Sequence, residues 1–197
     1  MSISADEVKN LRELTGAGIM DCKQALAESK GDLEKAVEYL RKKGIAKAEK
    51  KASREAKDGL IEMYLHPGSK LGVMVEINCE TDFVAKTDDF KRFSRDIAMQ
   101  IAASNPLVVN RQDLSQEIID KEMSIYKAQV MNQKKPEAIA EKIAQGKMDK
   151  FYQEVCLMEQ SFVKDPNKTI NDLTKELIGK LGENILIRRF VRFQLGE

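Results

Sequence analysis

Tryptophan is absent from the 197-residue chain, histidine occurs once and cysteine three times. The one histidine, His66, stands beside Pro67-Gly68 and reads as a turn residue. With so few histidines and cysteines, at unrelated spacings, there is no convincing ligand set for a metal. The odd cysteine count makes no disulfide framework and fits a reducing, cytoplasmic compartment. Cys22, Cys79 and Cys156 fall on or beside apolar faces, where a small buried hydrophobe is the default role. An excess of one charge is also missing. Lys and Arg number 33 against 32 Asp and Glu, a formal net charge of +1. A general polyanion binder is usually strongly basic, so that class is disfavoured. No apolar run approaches the ~18 residues of a membrane span. Met1 to Asn10 carries acids early and no apolar stretch, so no secretory leader is expected there.

What is present is a helix-rich globular composition, 33% charged and 42% hydrophobic. A chain of this length buries about 70% of its unfolded surface. It therefore needs no disulfide or metal to hold a core, and it makes one domain or two small ones.

Residues 1–44 read as three short helices. Ser4-x-x-Glu7 is a capping box, and Val8, Leu11 and Thr15 follow at helical spacing. Gly16-Ala17-Gly18 stops that helix. The second carries Ile19, Cys22, Ala25 and Leu26 on one face. Asp32 caps the third, with Leu33, Ala36, Val37 and Leu40 facing inward and Gly44 expected to close it. A bundle of this size suits a docking module better than a catalytic cleft. Arg41 to Lys57 is rich in Lys and Arg, with Glu49 and Glu55 as its acids. Over 45–57 it reads as a basic helical linker. Either it is a solvated helix or it faces an acidic partner or RNA. It lacks the aromatic residues on which single-stranded nucleic acid stacks.

Beyond 58 the period changes from 3.6 to 2. Ile61, Met63 and Leu65, then Leu71, Val73, Val75, Ile77 and Cys79, predict a hairpin with one buried face around Pro67-Gly68. Thr87 or Asp88 caps a helix bearing Phe90, Phe93, Ile97 and Ile101. Two further helices pair antiparallel across Lys134-Lys135-Pro136, with Pro136 opening the second and Gly146 interrupting it. Thr169-x-x-Asp172 caps a last helix, closed by Gly182. The chain ends as a strand with Ile185, Ile187, Val191, Phe193 and Leu195 on one face. The fold class is α+β: an N-terminal three-helix bundle, then a core domain over 58–197. That domain holds a small three-stranded antiparallel sheet and packed helices that include a helical hairpin. Its open sheet edges favour self-association.

Enzyme motifs are scarce. There is no G-x-x-x-x-G-K-[ST], and Gly16-Ala17-Gly18 lies between helices, not after a strand. Nothing supports a Cys–His nucleophile pair. The sharpest local feature is Thr81-Asp82-Phe83-Val84, at a strand-to-helix junction where binding residues collect. Phe83 is either a core anchor or an exposed aromatic wedge. Ile19-Met20 is likewise either core or a partner-facing patch.

Two long motifs carry a family resemblance. Leu11-Arg12-Glu13-Leu14-Thr15-Gly16-Ala17-Gly18-Ile19-Met20-Asp21-Cys22-Lys23 resembles the N-terminal signature of bacterial elongation factor Ts. Val75-Glu76-Ile77-Asn78-Cys79-Glu80-Thr81-Asp82-Phe83-Val84-Ala85 resembles its second signature. Lys135-Pro136, Ile139-Ala140-Glu141-Lys142-Ile143, Gly182-Glu183-Asn184 and Arg188-Arg189-Phe190 fit as well, so the resemblance covers essentially the whole chain in the short form of the family. Ser161 departs from the pattern where the family often has Pro, which is expected to loosen a local turn. The resemblance implies a cytoplasmic guanine-nucleotide exchange factor with no covalent chemistry and no cofactor. Its partner is elongation factor Tu carrying GDP. It implies a ubiquitin-associated-like bundle docking on the Tu nucleotide domain through Arg12, Ile19, Met20 and Lys23, with Lys51 adding a basic contact. Thr81, Asp82, Phe83 and Val84 match the segment that displaces Mg²⁺ from Tu. There Phe83 is the wedge and Asp82 fixes the neighbouring helix. A homodimer in a two-plus-two complex with Tu is expected. A small RNA-binding protein using the basic stretch, or a Cys-dependent enzyme, are the competing readings.

Overall fold

A computed structural model describes residues 3–131 and 137–197. In chain order it has helices α1 (Ala5–Thr15), α2 (Ile19–Glu28) and α3 (Leu33–Lys51), then strands β1 (Asp58–Leu65) and β2 (Leu71–Cys79). Next come α4 (Asp82–Ala85), α5 (Asp88–Ser104), α6 (Gln116–Met131) and α7 (Glu137–Val155). A short pair β3 (Ser161–Phe162) and β4 (Asp165–Thr169), helix α8 (Ile170–Leu181) and strand β5 (Leu186–Gln194) complete it. The α+β class is as expected. Among the described residues, no helix is long and apolar enough to cross a membrane.

The chain forms two compact units. The first takes Met1–Leu60, Ile77–Arg92 and Asp172–Leu186; the second takes Ile61–Glu76, Phe93–Asn171 and Ile187–Glu197.

In the first unit, α1 begins as its capping box dictates. Ser4 Oγ accepts from the Glu7 N–H, and the Glu7 carboxylate accepts from the Ser4 N–H. Gly16 ends the helix in the left-handed region at φ 67°. Leu11, Cys22, Ala25, Leu26 and Ala36 form the buried centre of the bundle, with Val8, Leu33 and Leu40 packed against it. Asp32 caps α3 by accepting from the Lys35 N–H at 3.1 Å. Gly44 does not close α3, which runs on to Lys51. Helix α8 meets α3 at this point: a methyl group on Gly179 would sit 3.0 Å from the Gly44 Cα, whereas one on Gly44 would meet nothing within 4 Å. Arg41 lies 3.9 Å from Asp172 and 3.8 Å from Glu176 along the same contact. Lys180 pairs with Asp89 at 2.8 Å.

The three-stranded sheet has the order β1-β2-β5. His66 N–H donates to the Leu71 carbonyl, and Leu195 N–H to the Lys70 carbonyl, both at 2.8 Å. His66 therefore opposes Leu71, and Leu195 opposes Lys70. With four residues between the paired ends of the hairpin, odd positions of β1 oppose even positions of β2. Val73, Val75, Ile77 and Cys79 are buried as expected, but Ile61, Met63 and Leu65 are exposed on the other face. Met74, Val191, Phe193 and Leu195 are exposed too, so burial in the last strand stops at Ile187. The expected common buried face thus divides between the two sides of the sheet.

In the second unit α5 buries Phe93, Ile97 and Ile101. Its Arg95 guanidinium lies 4.8 Å from the Tyr64 ring centre and donates to Glu62 at 3.0 Å. Helix α7 passes through Gly146 without the expected interruption and pairs with α6, where Lys147 Nζ donates to Gln129 at 2.5 Å. The expected turn at Lys134-Lys135-Pro136 lies outside the described residues. His66 holds the hairpin turn, accepting from the Ser69 N–H at 2.9 Å.

Two glycine substitutions are expected to act with opposite sign in urea unfolding. Gly146→Ala meets nothing within 4 Å and should stabilise by about 0.5–1 kcal/mol, the helix-interior difference between the two residues. Gly179→Ala presses on the α3 backbone and should destabilise by about 1–3 kcal/mol. A neutral or stabilising Gly179→Ala would show that α8 is free to shift.

Candidate functional site

The residues singled out by the sequence fall in the first unit, at three places. The first is the α1–α2 corner. Thr15 Oγ1 donates to the Leu11 carbonyl at 2.7 Å and accepts from the Ala17 N–H at 3.3 Å. Cys22 Sγ donates to the Ala17 carbonyl at 3.7 Å. These bonds fasten the Gly16–Gly18 turn, so α2 starts in a set direction. Cys22, Ala25 and Leu26 face the core, while Ile19 and Met20 stand out, Met20 at 75% exposure. Ile19 therefore does not share the buried face expected of it. Leu14 is exposed beside them, and Arg12 and Lys23 are exposed as well. The corner is a small apolar knob carrying two cations, which resolves Ile19-Met20 in favour of the surface.

The second place is α3 and its end. Here the basic stretch turns largely inward. Lys43 and Lys47 reach Asp21 at 3.0 and 2.6 Å, and Arg41 faces Asp172 and Glu176 on α8. Lys51 is half-buried and donates to the Gly182 carbonyl. Arg54 lies 3.5 Å from Glu80. Charges committed in this way make a poor polyanion stripe. The Lys47 hydrogen bond holds the Asp21 carboxyl below its ordinary range; burial opposes this, and Lys43 adds to it.

The third place is the junction after β2. Cys79 Sγ donates to the Thr81 carbonyl at 3.1 Å. Thr81 precedes α4 but makes no side-chain cap bond to it. Its hydroxyl donates instead to Glu183 Oε1 at 2.6 Å. Glu183 Oε2 accepts from the N–H groups of Glu80 and Thr81 at 3.1 and 3.0 Å. The single turn of α4 buries Ala85 and leaves Phe83 79% exposed. Lys86 Nζ sits 2.5 Å from Asp82 and 6.0 Å from the Phe83 ring centre. The Lys86 hydrogen bond lowers the Asp82 pKa. Val84 is half-buried, and its carbonyl accepts from Thr87 Oγ1 at 2.8 Å. Thr87 also caps α5, accepting from the Phe90 N–H at 3.3 Å. Phe83 is thus an exposed aromatic, not the core anchor that periodicity alone left open.

Sequence reasoning missed what holds this segment. Glu183 and Asn184 stood out only as a matching pair after Gly182. The available signal was an acid and an amide immediately after a glycine helix stop, a position that presents side chains to neighbouring loops. Burial pushes the Cys79 and Cys156 thiols up to about 11 and raises Cys22, so these cysteines stay protonated at neutral pH. Among the described residues, no group of three or more His, Cys, Asp and Glu side chains is placed to hold a metal.

The family model described as elongation factor TS matches residues 8–197. The chain belongs to the elongation factor Ts family. The elongation factor Ts of Carboxydothermus hydrogenoformans is 60% identical over 195 residues, covering 99% of this chain and 90% of the relative. The one from Thermodesulfovibrio yellowstonii is 56% identical over 197 residues, covering 100% and 98%. That of Thermoanaerobacter sp. strain X514 is 56% identical over 195 residues, covering 99% and 96%. Against the elongation factor Ts pattern, Ser161 opens β3 opposite Thr169, and its carbonyl accepts from Gln100 Nε2 at 3.2 Å. The first unit, which carries the candidate site, does not include Ser161.

The Asp21 pair gives a pH dependence of known sign. A lowered carboxyl pKa contributes stability that is present above the unfolded value near 4 and is lost as pH falls through the lowered value. Asp21→Asn should reduce the melting temperature by about 2–4 °C at pH 7. The difference should shrink as pH falls through the lowered Asp21 value and vanish once Asp21 is protonated in both the folded and unfolded states. A difference that stays constant as the pH is lowered would mean Asn disturbs packing and not charge.

Proposed function

We propose that this elongation factor Ts family member is a guanine-nucleotide exchange factor. It binds elongation factor Tu carrying GDP, displaces the Mg²⁺ and speeds GDP release during translation elongation in the cytoplasm. The observation that carries the reading is Phe83: an aromatic ring held out in water on a turn whose base is fastened by three hydrogen bonds. Such a ring is poorly placed for its own fold and well placed for a partner's pocket.

An exchange factor forms and breaks no covalent bond and needs no nucleotide pocket of its own. It needs a surface that fits the nucleotide-free partner better than the GDP-bound one. A thousandfold faster release corresponds to about 4 kcal/mol, within the reach of one buried aromatic and a lost Mg²⁺ contact. By linkage, GDP must weaken factor binding as much as the factor weakens GDP binding. In this reading Arg12, Ile19, Met20 and Lys23 dock on the Tu nucleotide domain, and Lys51 extends that contact from the end of α3. Thr81 anchors the exchange segment, Asp82 steadies it through Lys86, Phe83 enters between Tu side chains and Val84 lies against it. The inward lysines of α3 weigh against the RNA reading, and the protonated cysteines against the thiol-enzyme reading.

The protein also pairs with a second copy, giving a two-plus-two complex with Tu. Ile61, Met63, Leu65, Met74, Val191, Phe193 and Leu195 are exposed on one sheet face of the second unit, an apolar area that a monomer rarely leaves in water. Glu76 and Arg189, 2.8 Å apart on that face, give it both charge signs, as a self-complementary surface requires. The pairing therefore involves the face of the sheet rather than the strand edges alone.

Release of a fluorescent GDP analogue from elongation factor Tu with Mg²⁺ present tests the function. The native chain should accelerate release, and Phe83→Ala should slow it about thirtyfold, the cost of losing a hot-spot aromatic of about 2 kcal/mol. No acceleration by the native chain would end the exchange reading. In sedimentation at micromolar concentration the native chain should run as a dimer and Phe193→Glu as a monomer; a native monomer would remove the two-plus-two complex.

A further inference from the structure

We infer that Glu183 and Asn184 are positioning residues that set where Phe83 stands relative to the end of α3. The inference rests on the exchange reading above and assigns two residues outside both signature segments to it. Glu183 joins Glu80 and Thr81 through the three hydrogen bonds already described. Asn184 N–H donates to Glu80 Oε1 at 2.7 Å. Asn184 Nδ2 donates to the carbonyls of Arg54 at 2.8 Å and Ala52 at 3.5 Å. Arg54 Nη1 completes the ring against Glu80 Oε2 at 3.5 Å. Three stretches far apart in sequence thus meet at one polar clasp inside the first unit.

Helix α4 cannot orient itself. Four residues make one turn, too short to persist without outside support. Its preceding residue gives it no side-chain cap, and the Thr81 hydroxyl donates to Glu183 instead. Charge-assisted acceptance of two backbone N–H groups is stronger than neutral hydrogen bonding and has directional geometry. Gly182 lies in the left-handed region at φ 79°, so Glu183 follows directly from the end of α8. The direction of Phe83 is therefore inherited from α8 through Glu183.

Glu183→Ala and Glu183→Gln separate positioning from simple stability. The Gln carbonyl can still accept from both backbone N–H groups, and its amide can donate to the Thr81 hydroxyl oxygen. Glu183→Ala should slow GDP-analogue release roughly tenfold, while Glu183→Gln should stay within about threefold of native. Combining Phe83→Ala with Glu183→Ala should give a loss well below the product of the two single losses, since both act through one ring. In the free protein, hydrogen exchange at the Glu80 and Thr81 amides should quicken about tenfold in Glu183→Ala but not in Glu183→Gln. Thr81→Val removes a single donor and leaves the core of the unit intact; it should slow release several-fold, which keeps the test decisive if Glu183→Ala does not fold. Native release rates in Glu183→Ala or Thr81→Val, or multiplicative losses in the double variant, would overturn the inference. Failure of the native chain to release nucleotide would remove the exchange reading itself, and amide exchange would still judge the clasp.

Discussion

The fit between α3 and α8 at Gly44 and Gly179 is the constraint on which the first unit depends. The two backbones approach so closely that a single added methyl group would touch the neighbouring chain. The ion pairs beside it, Arg41 with Asp172 and Glu176, are long and partly exposed, so they select the orientation more than they supply stability. Once α8 lies against α3, the residues after Gly182 arrive beside Ala52 and Arg54. Glu183 and Asn184 can then reach the chain leaving β2. Every candidate contact residue at 81–84 is downstream of that one approach.

The candidate site combines rigid supports with exposed ends. At the α1–α2 corner, Thr15 and Cys22 hold a glycine turn, and the result is exposure of Leu14, Ile19 and Met20. At 81–84, Glu183 holds the backbone, and the result is exposure of Phe83. In both cases the polar bonds are internal and the apolar side chains face outward, the reverse of an ordinary surface. The basic stretch follows the opposite rule. Its lysines and arginines close on Asp21, Asp172, Glu176 and Glu80, so a charge run that looked available for a partner mostly fastens the unit to itself.

Much of the local structure was legible beforehand because its causes are local. The Ser4–Glu7 capping box, the Asp32 cap, the left-handed Gly16 and Gly182 stops and the His66–Leu71 turn each depend on a few adjacent residues. The failures share one origin. Gly44 reads as a stop because a glycine usually weakens a helix, whereas α3 continues through it and meets Gly179 of α8 there. Ile61, Met63 and Leu65 alternate correctly for a strand, yet alternation alone does not say which side of the sheet is covered. The number of residues in the turn decided that odd positions of β1 oppose even positions of β2.

The sequence by itself determined the α+β class, the positions of caps and turns, the two signature segments and hence the family. These follow from patterns readable within a dozen residues. Tertiary structure alone decided that Phe83 is exposed, that one sheet face of the second unit stays uncovered, and that Glu183 and Asn184 support the junction at 80–81. Burial and hydrogen-bond partnership are properties of pairs of segments, and the segments that matter here lie about a hundred residues apart, beyond the reach of any local period.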